Sequence, residues 1–147
     1  NLSRDPSRTP MQWDNSEYAG FTEAKPWLRL DKAFRRMNVR AEKEDHYSML
    51  SLYRRLIRLR RQEPSLATGR YTAVYADQQM IAYTRTQEAH PAFLVILNLT
   101  HRPCYFRQEH FPFKGIVEIA TIPETEGTVV TNTIPLDGDE GIVIRLV

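Results

Sequence analysis

Apolar residues recur at Met49, Leu52, Tyr53, Leu56, Ile57 and Leu59, at the three- and four-residue steps that keep side chains on one face of a helix. This spacing predicts a helix over 46–62, with Asp45 as the N-cap accepting from the unpaired N–H groups of the first turn. Arg58, Arg60 and Arg61 fall in its last turns, where the helix dipole favours cations, and Pro64 stops it. Residues 1–44 show no such period. Pro6, Pro10, Gly20 and Pro26 interrupt any element, and Trp13, Phe21, Trp27 and Leu28 are irregularly spaced, so an extended loop is expected. A loop of that length is unusual inside a compact domain, and its rings need a surface to pack on.

From Leu66 onward the pattern shortens into β runs. Strands are expected near 70–76, 79–86, 92–99, 102–108, 115–122, 127–133 and 141–147. Residues 80–85 and 141–146 alternate, whereas 93–97 are continuously apolar, as in a strand covered on both faces. Ala76-Asp77-Gln78-Gln79 and Leu136-Asp137-Gly138-Asp139 carry turn chemistry. Short strands in such number predict an antiparallel sandwich or barrel.

Composition adds a boundary. The chain is 41% hydrophobic and 26% charged, as folded proteins are. Its net charge of +2 conceals +5 over residues 1–64 and −3 over 65–147, which suggests two parts of different origin. The absence of an initiator Met reads as a fragment or a processed product, and no secretory leader is visible at Asn1. No apolar run approaches the ~20 residues that span a bilayer, so no membrane partner is expected in this segment.

Candidate chemistry is sparse. Cys104, beside Tyr105 and Phe106, reads as a small core residue, not a nucleophile. His46, His90, His101 and His110 show no ligand spacing, so neither metal nor cofactor is expected. Arg54, Arg55, Arg58, Arg60 and Arg61 could face nucleic acid, with Glu63 the only acid nearby. No recognition motif or aromatic platform accompanies them, so they read as solvated or β-facing and no nucleic-acid partner is expected. Asn98-Leu99-Thr100 fits a glycosylation acceptor.

One order of motifs is specific. Arg4-Asp5-Pro6-Ser7-Arg8-Thr9-Pro10-Met11-Gln12-Trp13-Asp14 is followed by Ala19-Gly20-Phe21-Thr22, Pro26-Trp27-Leu28, Asn38-Val39, the Tyr53 to Arg60 helix, Pro64-Ser65-Leu66 and Gly69-Arg70-Tyr71. This order resembles the C-terminal part of α-glucosidases and oligo-1,6-glucosidases of the α-amylase superfamily. It is similar also to trehalose synthases and to the heavy chains of certain amino-acid transporters. The resemblance is strong over 4–71 and continues more weakly to the end.

The resemblance implies an α+β fragment. Residues 1–64 would be the last active-site loop and eighth helix of a (β/α)8 barrel, and 65–147 an all-β antiparallel sandwich domain. It implies a retaining glycoside hydrolase acting on short α-glucosides, with the α-glucoside and the missing barrel as partners. Arg8 is the expected substrate-binding residue, its planar fork suited to sugar hydroxyls and to a carboxylate from another loop. Arg4 and Asp5 are weaker candidates, more readily a local ion pair. Trp13, Phe21 and Trp27 could stack on sugars but read as packing anchors. The family's catalytic carboxylates and Asn-His-Asp motif precede this segment, so no catalytic residue is expected here. The alternative parents are a trehalose synthase or a non-catalytic transporter heavy chain. Independent polysaccharide binding by the β part has little support, exposed aromatics being few beyond Tyr71, Tyr75 and Tyr83.

Overall fold

A computed structural model describes residues 7–107 and 112–147. Contacts divide the chain into two compact units that meet in sequence between Tyr53 and Arg54, part-way along the long helix.

The first unit is built from turns and caps. A 3-10 turn spans Glu17–Gly20 and another Lys32–Arg35, the latter capped by Asp31, whose Oδ1 accepts from Ala33 N at 2.7 Å. Helix α1 follows over Val39–Glu44. Asn38 caps it, accepting from Ala41 N at 2.9 Å and donating through Nδ2 to Phe34 O at 2.8 Å. The expected uninterrupted loop over 1–44 is therefore corrected to short helical turns, because Asp31 and Asn38 supply the starts that their sequences need.

Helix α2 runs over Met49–Gln62, three residues shorter at its start than the periodicity predicts. Asp45 does not cap it. Its backbone N–H closes α1 on Ala41 O, and its carboxylate takes Tyr47 N at 2.8 Å. Ser48 performs the cap, accepting from Ser51 N at 3.1 Å and donating to Glu42 O at 2.6 Å.

In the second unit, the end of α2 leads into the single turn α3, Pro64–Ala67. Pro64 ends one helix and opens the next, since its missing N–H is harmless at a first turn. Eight strands follow: β1 Arg70–Ala76, β2 Met80–Thr86, β3 Phe93–Asn98, β4 Cys104–Arg107, β5 Lys114–Ala120, β6 Val129–Thr131, β7 Thr133–Leu136 and β8 Gly141–Leu146. They form one antiparallel sheet in the order β1-β2-β3-β8-β5-β6-β7-β4. The expected strand over 127–133 is thus two strands, hinged at Asn132 with φ 50°.

The sheet curls until its outer strands approach, bringing the Tyr75 ring 6.5 Å from that of Phe106. Leu94, Ile96, Phe106, Val117, Leu136 and Ile144 fill the enclosed core, each worth about 1.5–3 kcal/mol by burial alone. On the opposite face of β3, Phe93 and Val95 are buried too. That is the two-sided strand predicted from 93–97. Over this face Arg145 lies 4.9 Å from the Phe93 ring, bonded to Glu63 at 2.7 Å and to Glu118. Arg55 pairs with Glu126, which also accepts from Ala120 N. The helix end is therefore fastened to the strands by charge as well as by buried Leu59.

Candidate functional site

The Arg8 to Trp13 segment is held by backbone groups. Trp13 N and Asp14 N both donate to Ala19 O, at 2.9 and 3.2 Å. From the other side, Val39 N donates to Gln12 O at 2.9 Å and Arg40 N to Trp13 O at 3.0 Å. Reaching Ala19 O requires a tight reversal, and Tyr18, Ala19 and Gly20 are consecutively left-handed, with φ of 54°, 59° and 65°. Two non-glycine residues in that region store strain, which persists only where surrounding bonds over-determine it. At Gly20 a Cβ would also lie 2.9 Å from the Asp14 carboxylate.

Asp14 is committed to this turn. It accepts from the Ser16 hydroxyl and from Ser16 N at 2.9 Å, and those bonds hold its carboxyl below the usual range. Glu42 accepts from Leu50 N at 3.1 Å, and Asp31 and Asp45 cap turns as described. These carboxylates serve local turns and caps.

Arg8 and Thr9 are exposed, followed by buried Pro10. Thr9 and Pro10 border an open cleft of about 590 Å³, lined also by Met11, Met37, Met49, Leu50 and Tyr53. Arg4 and Asp5 lie outside the described residues. The three rings expected to anchor the loop are not anchored within this chain: Trp13 and Phe21 are half exposed and Trp27 is 93% exposed.

The remaining candidates resolve into structure. Cys104 is half-buried, and burial, with Asp77 and Glu140 nearby, pushes its thiol pKa up, away from a nucleophile. His101 meets Asp139 at 2.7 Å on the surface, which raises the His101 pKa. His110 lies outside the described residues. Among the described residues no group of three or more His, Cys, Asp or Glu could hold a metal ion. Asn98, of the glycosylation-like triplet, is buried. Its amide donates to Arg102 O and Asp137 O, and its oxygen accepts from Thr100 N and Oγ1, so this side chain is a structural clamp. Sequence reasoning placed Asn38 and Ala19 in the motif order but missed their work: Asn38 starts the helix whose Val39 and Arg40 N–H groups bond the motif, and Ala19 O accepts from it. Asn before a short polar helix was a readable cap signal, but nothing marked an alanine as left-handed.

Residues 1–69 match the family described as Alpha amylase, catalytic domain. The probable oligo-1,6-glucosidase 3 of Bacillus subtilis is 40% identical over 124 residues, 84% of this chain and 22% of that protein. An amino acid transporter heavy chain of Rattus norvegicus is 32% identical over 95% of this chain and 21% of its own length. Among solved structures, the trehalulose synthase MutB from Pseudomonas mesoacidophila MX-45 superposes with a TM-score of 0.88 at 31% identity, over 99% of this chain and 26% of that one. The chain belongs to the α-amylase superfamily of glycoside hydrolases. It is mostly strand with few helices, and spans about a fifth of the length of the curated relatives it matches.

Proposed function

We propose that this chain is the C-terminal part of a retaining α-glucosidase-type glycoside hydrolase acting on short α-glucosides, and that it is not catalytic by itself. In this reading residues 1–64 are the last active-site loop and eighth helix of a (β/α)8 barrel, and 65–147 its β-sandwich domain. The observation that carries it is the apolar surface of the first segment. Met11, Trp13, Trp27, Met37, Met49 and Tyr53 are each about half exposed or more, and rings and thioethers in such number normally mark a contact surface. Retaining hydrolysis needs a nucleophile and an acid/base about 5–5.5 Å apart, and the missing barrel would supply both. Arg8 would reach the bound sugar from its exposed place on the loop, its fork donating to hydroxyls that neutral side chains hold less firmly.

The test joins this chain to the preceding segment of the Bacillus subtilis relative. The joined enzyme is expected to hydrolyse maltose or isomaltose, and the chain alone to do neither. Arg8→Ala in the joined enzyme should lower kcat/KM by about 10²-fold while leaving the thermal midpoint nearly unchanged. Unchanged turnover would remove Arg8 from the site.

Two other parents keep support. Similarity to a transporter heavy chain over 95% of this chain favours a barrel used for assembly, and similarity to a trehalulose synthase over 99% favours sugar isomerisation, the latter also open to a trehalose synthase. A joined protein that folds but lacks all turnover favours the first; isomeric disaccharides among its products favour the second.

A further inference from the structure

The curled sheet leaves a depression of about 140 Å³ where β4 faces the end of β1 and the β1–β2 turn. A closed cavity of roughly 150 Å³ accommodates benzene, so a pyranose with its exocyclic hydroxyls would seat part of its ring here and leave the rest in solvent. Met80 and Phe106, both buried in the core, form an apolar floor. Tyr75, Asp77 and Gln79 stand on one side, and Tyr105 and Arg107 on the other.

The polar groups are oriented by the backbone. Asp77 Oδ1 accepts from Gln79 N at 2.8 Å and Met80 N at 2.7 Å, and Oδ2 accepts from the Tyr75 hydroxyl at 2.8 Å. The carboxylate is thereby fixed and kept charged, with lone pairs to spare. Because its proton is given to Asp77, the Tyr75 hydroxyl offers only acceptor capacity to a further group. Arg107 and the Gln79 amide are donors. Tyr105 is 62% exposed on an edge strand, with the Arg107 guanidinium 5.5 Å from its ring centroid.

We propose that this depression is a second sugar-binding site, taking one pyranose ring of an α-glucoside, separate from the Arg8 loop. A pyranose matches both faces of the depression: its C–H face suits the ring of Tyr105 and the apolar floor, and its vicinal hydroxyls donate to Asp77 and accept from Arg107 and Gln79. The aromatic that matters is Tyr105. Its ring neighbour is a flexible side chain, the Arg107 guanidinium 5.5 Å from the centroid, whereas Tyr71 leans on Tyr83 with ring centroids 5.0 Å apart and Tyr75 on buried Phe106. The choice of an α-glucoside rests on the function proposed above; the site itself does not.

The experiment is titration of the ¹⁵N-labelled 147-residue chain with maltotriose, followed by amide shifts. Saturable shifts at Asp77, Gln79, Tyr105 and Arg107 are expected, with Kd on the order of 1 mM. Tyr105→Ala should weaken binding about tenfold or more, while the thermal midpoint stays put because the ring is exposed. Asp77→Asn keeps an acceptor for the turn and should weaken binding without unfolding it. Arg8→Ala should leave these shifts in place whatever becomes of its own proposed role. No saturable shift at about 20 mM sugar, shifts confined to residues 7–53, or full binding by Tyr105→Ala would each overturn the proposal.

Discussion

Ser65 is wholly buried on α3, and its hydroxyl finds no hydrogen-bond partner among the described residues. An unsatisfied buried hydroxyl opposes folding, so Ser65→Ala should be neutral or stabilising by about 1 kcal/mol. Four residues on, Gly69 passes so close that a Cβ would lie 2.3 Å from Ser65 O. That contact is backbone and cannot swing away. Gly69→Ala should therefore cost about 1–3 kcal/mol. Urea midpoints of the two variants should move in opposite directions; a shared direction would contradict this packing. Neither residue stood out in the sequence beyond its place in a motif. The same holds for Glu63, which read as a lone acid beside an arginine cluster, yet its partner Arg145 is 82 positions away. Pairs of that separation leave no local pattern.

Among the elements, the strands were the most readable, because alternation at 80–85 and 141–146 directly reflects one buried and one half-buried face. The exceptions have physical causes. Pro135 cannot donate to a ladder, and the expected strand stopped at 133, whereas β7 is a genuine strand whose Pro135 sits opposite Tyr105 on β4. Helix α1 carries Val-Arg-Ala-Glu-Lys-Glu and has no apolar stripe to detect; its cap and its bonds to the motif segment hold it.

The turn between β7 and β8 also makes a pH prediction. Glu140 is 3% exposed and accepts from Asp137 N at 2.7 Å, with the Asp137 carboxylate and the Cys104 thiol as its titratable neighbours. Burial raises its pKa above 4.5. The folded state then holds a proton that the unfolded chain has released, so this group withdraws stability as pH climbs from the ordinary glutamate value through its folded pKa. Asp14 and Asp77 are depressed and act oppositely, losing their contribution as pH falls below 3.8. Glu140→Gln keeps the acceptor and removes the titration. Its urea midpoint should exceed that of the parent at neutral pH and lose the decline above pH 4.5. An unaltered pH profile would show that the turn opens to hydrate Glu140.

At the scale of the whole molecule, the two units differ in how they bury themselves. The second encloses a core contributed by six strands and fastens its helix end with Arg55–Glu126 and Arg145–Glu63. In the first, Pro10, Ala19, Asn38 and Ser48 are the buried residues among those described, while its methionines and rings face outward. The charge asymmetry suggests a boundary at 64/65, whereas contacts divide the chain between Tyr53 and Arg54; the motif order foresaw the family. The role proposed for Arg8 was legible only as a resemblance, because no spacing or periodicity in the sequence marks it.

The central claim is that residues 1–64 are the closing edge of a sugar-cleaving barrel. Amide hydrogen exchange tests it most directly, comparing the chain alone with the chain joined to the preceding segment of its Bacillus subtilis relative. The account predicts that peptides from 7–53 exchange rapidly in the chain alone and slow by about 10²-fold or more on joining, while β3 is protected in both. Peptides from 7–53 that are already as protected as β3 in the isolated chain, and unchanged by joining, would contradict it.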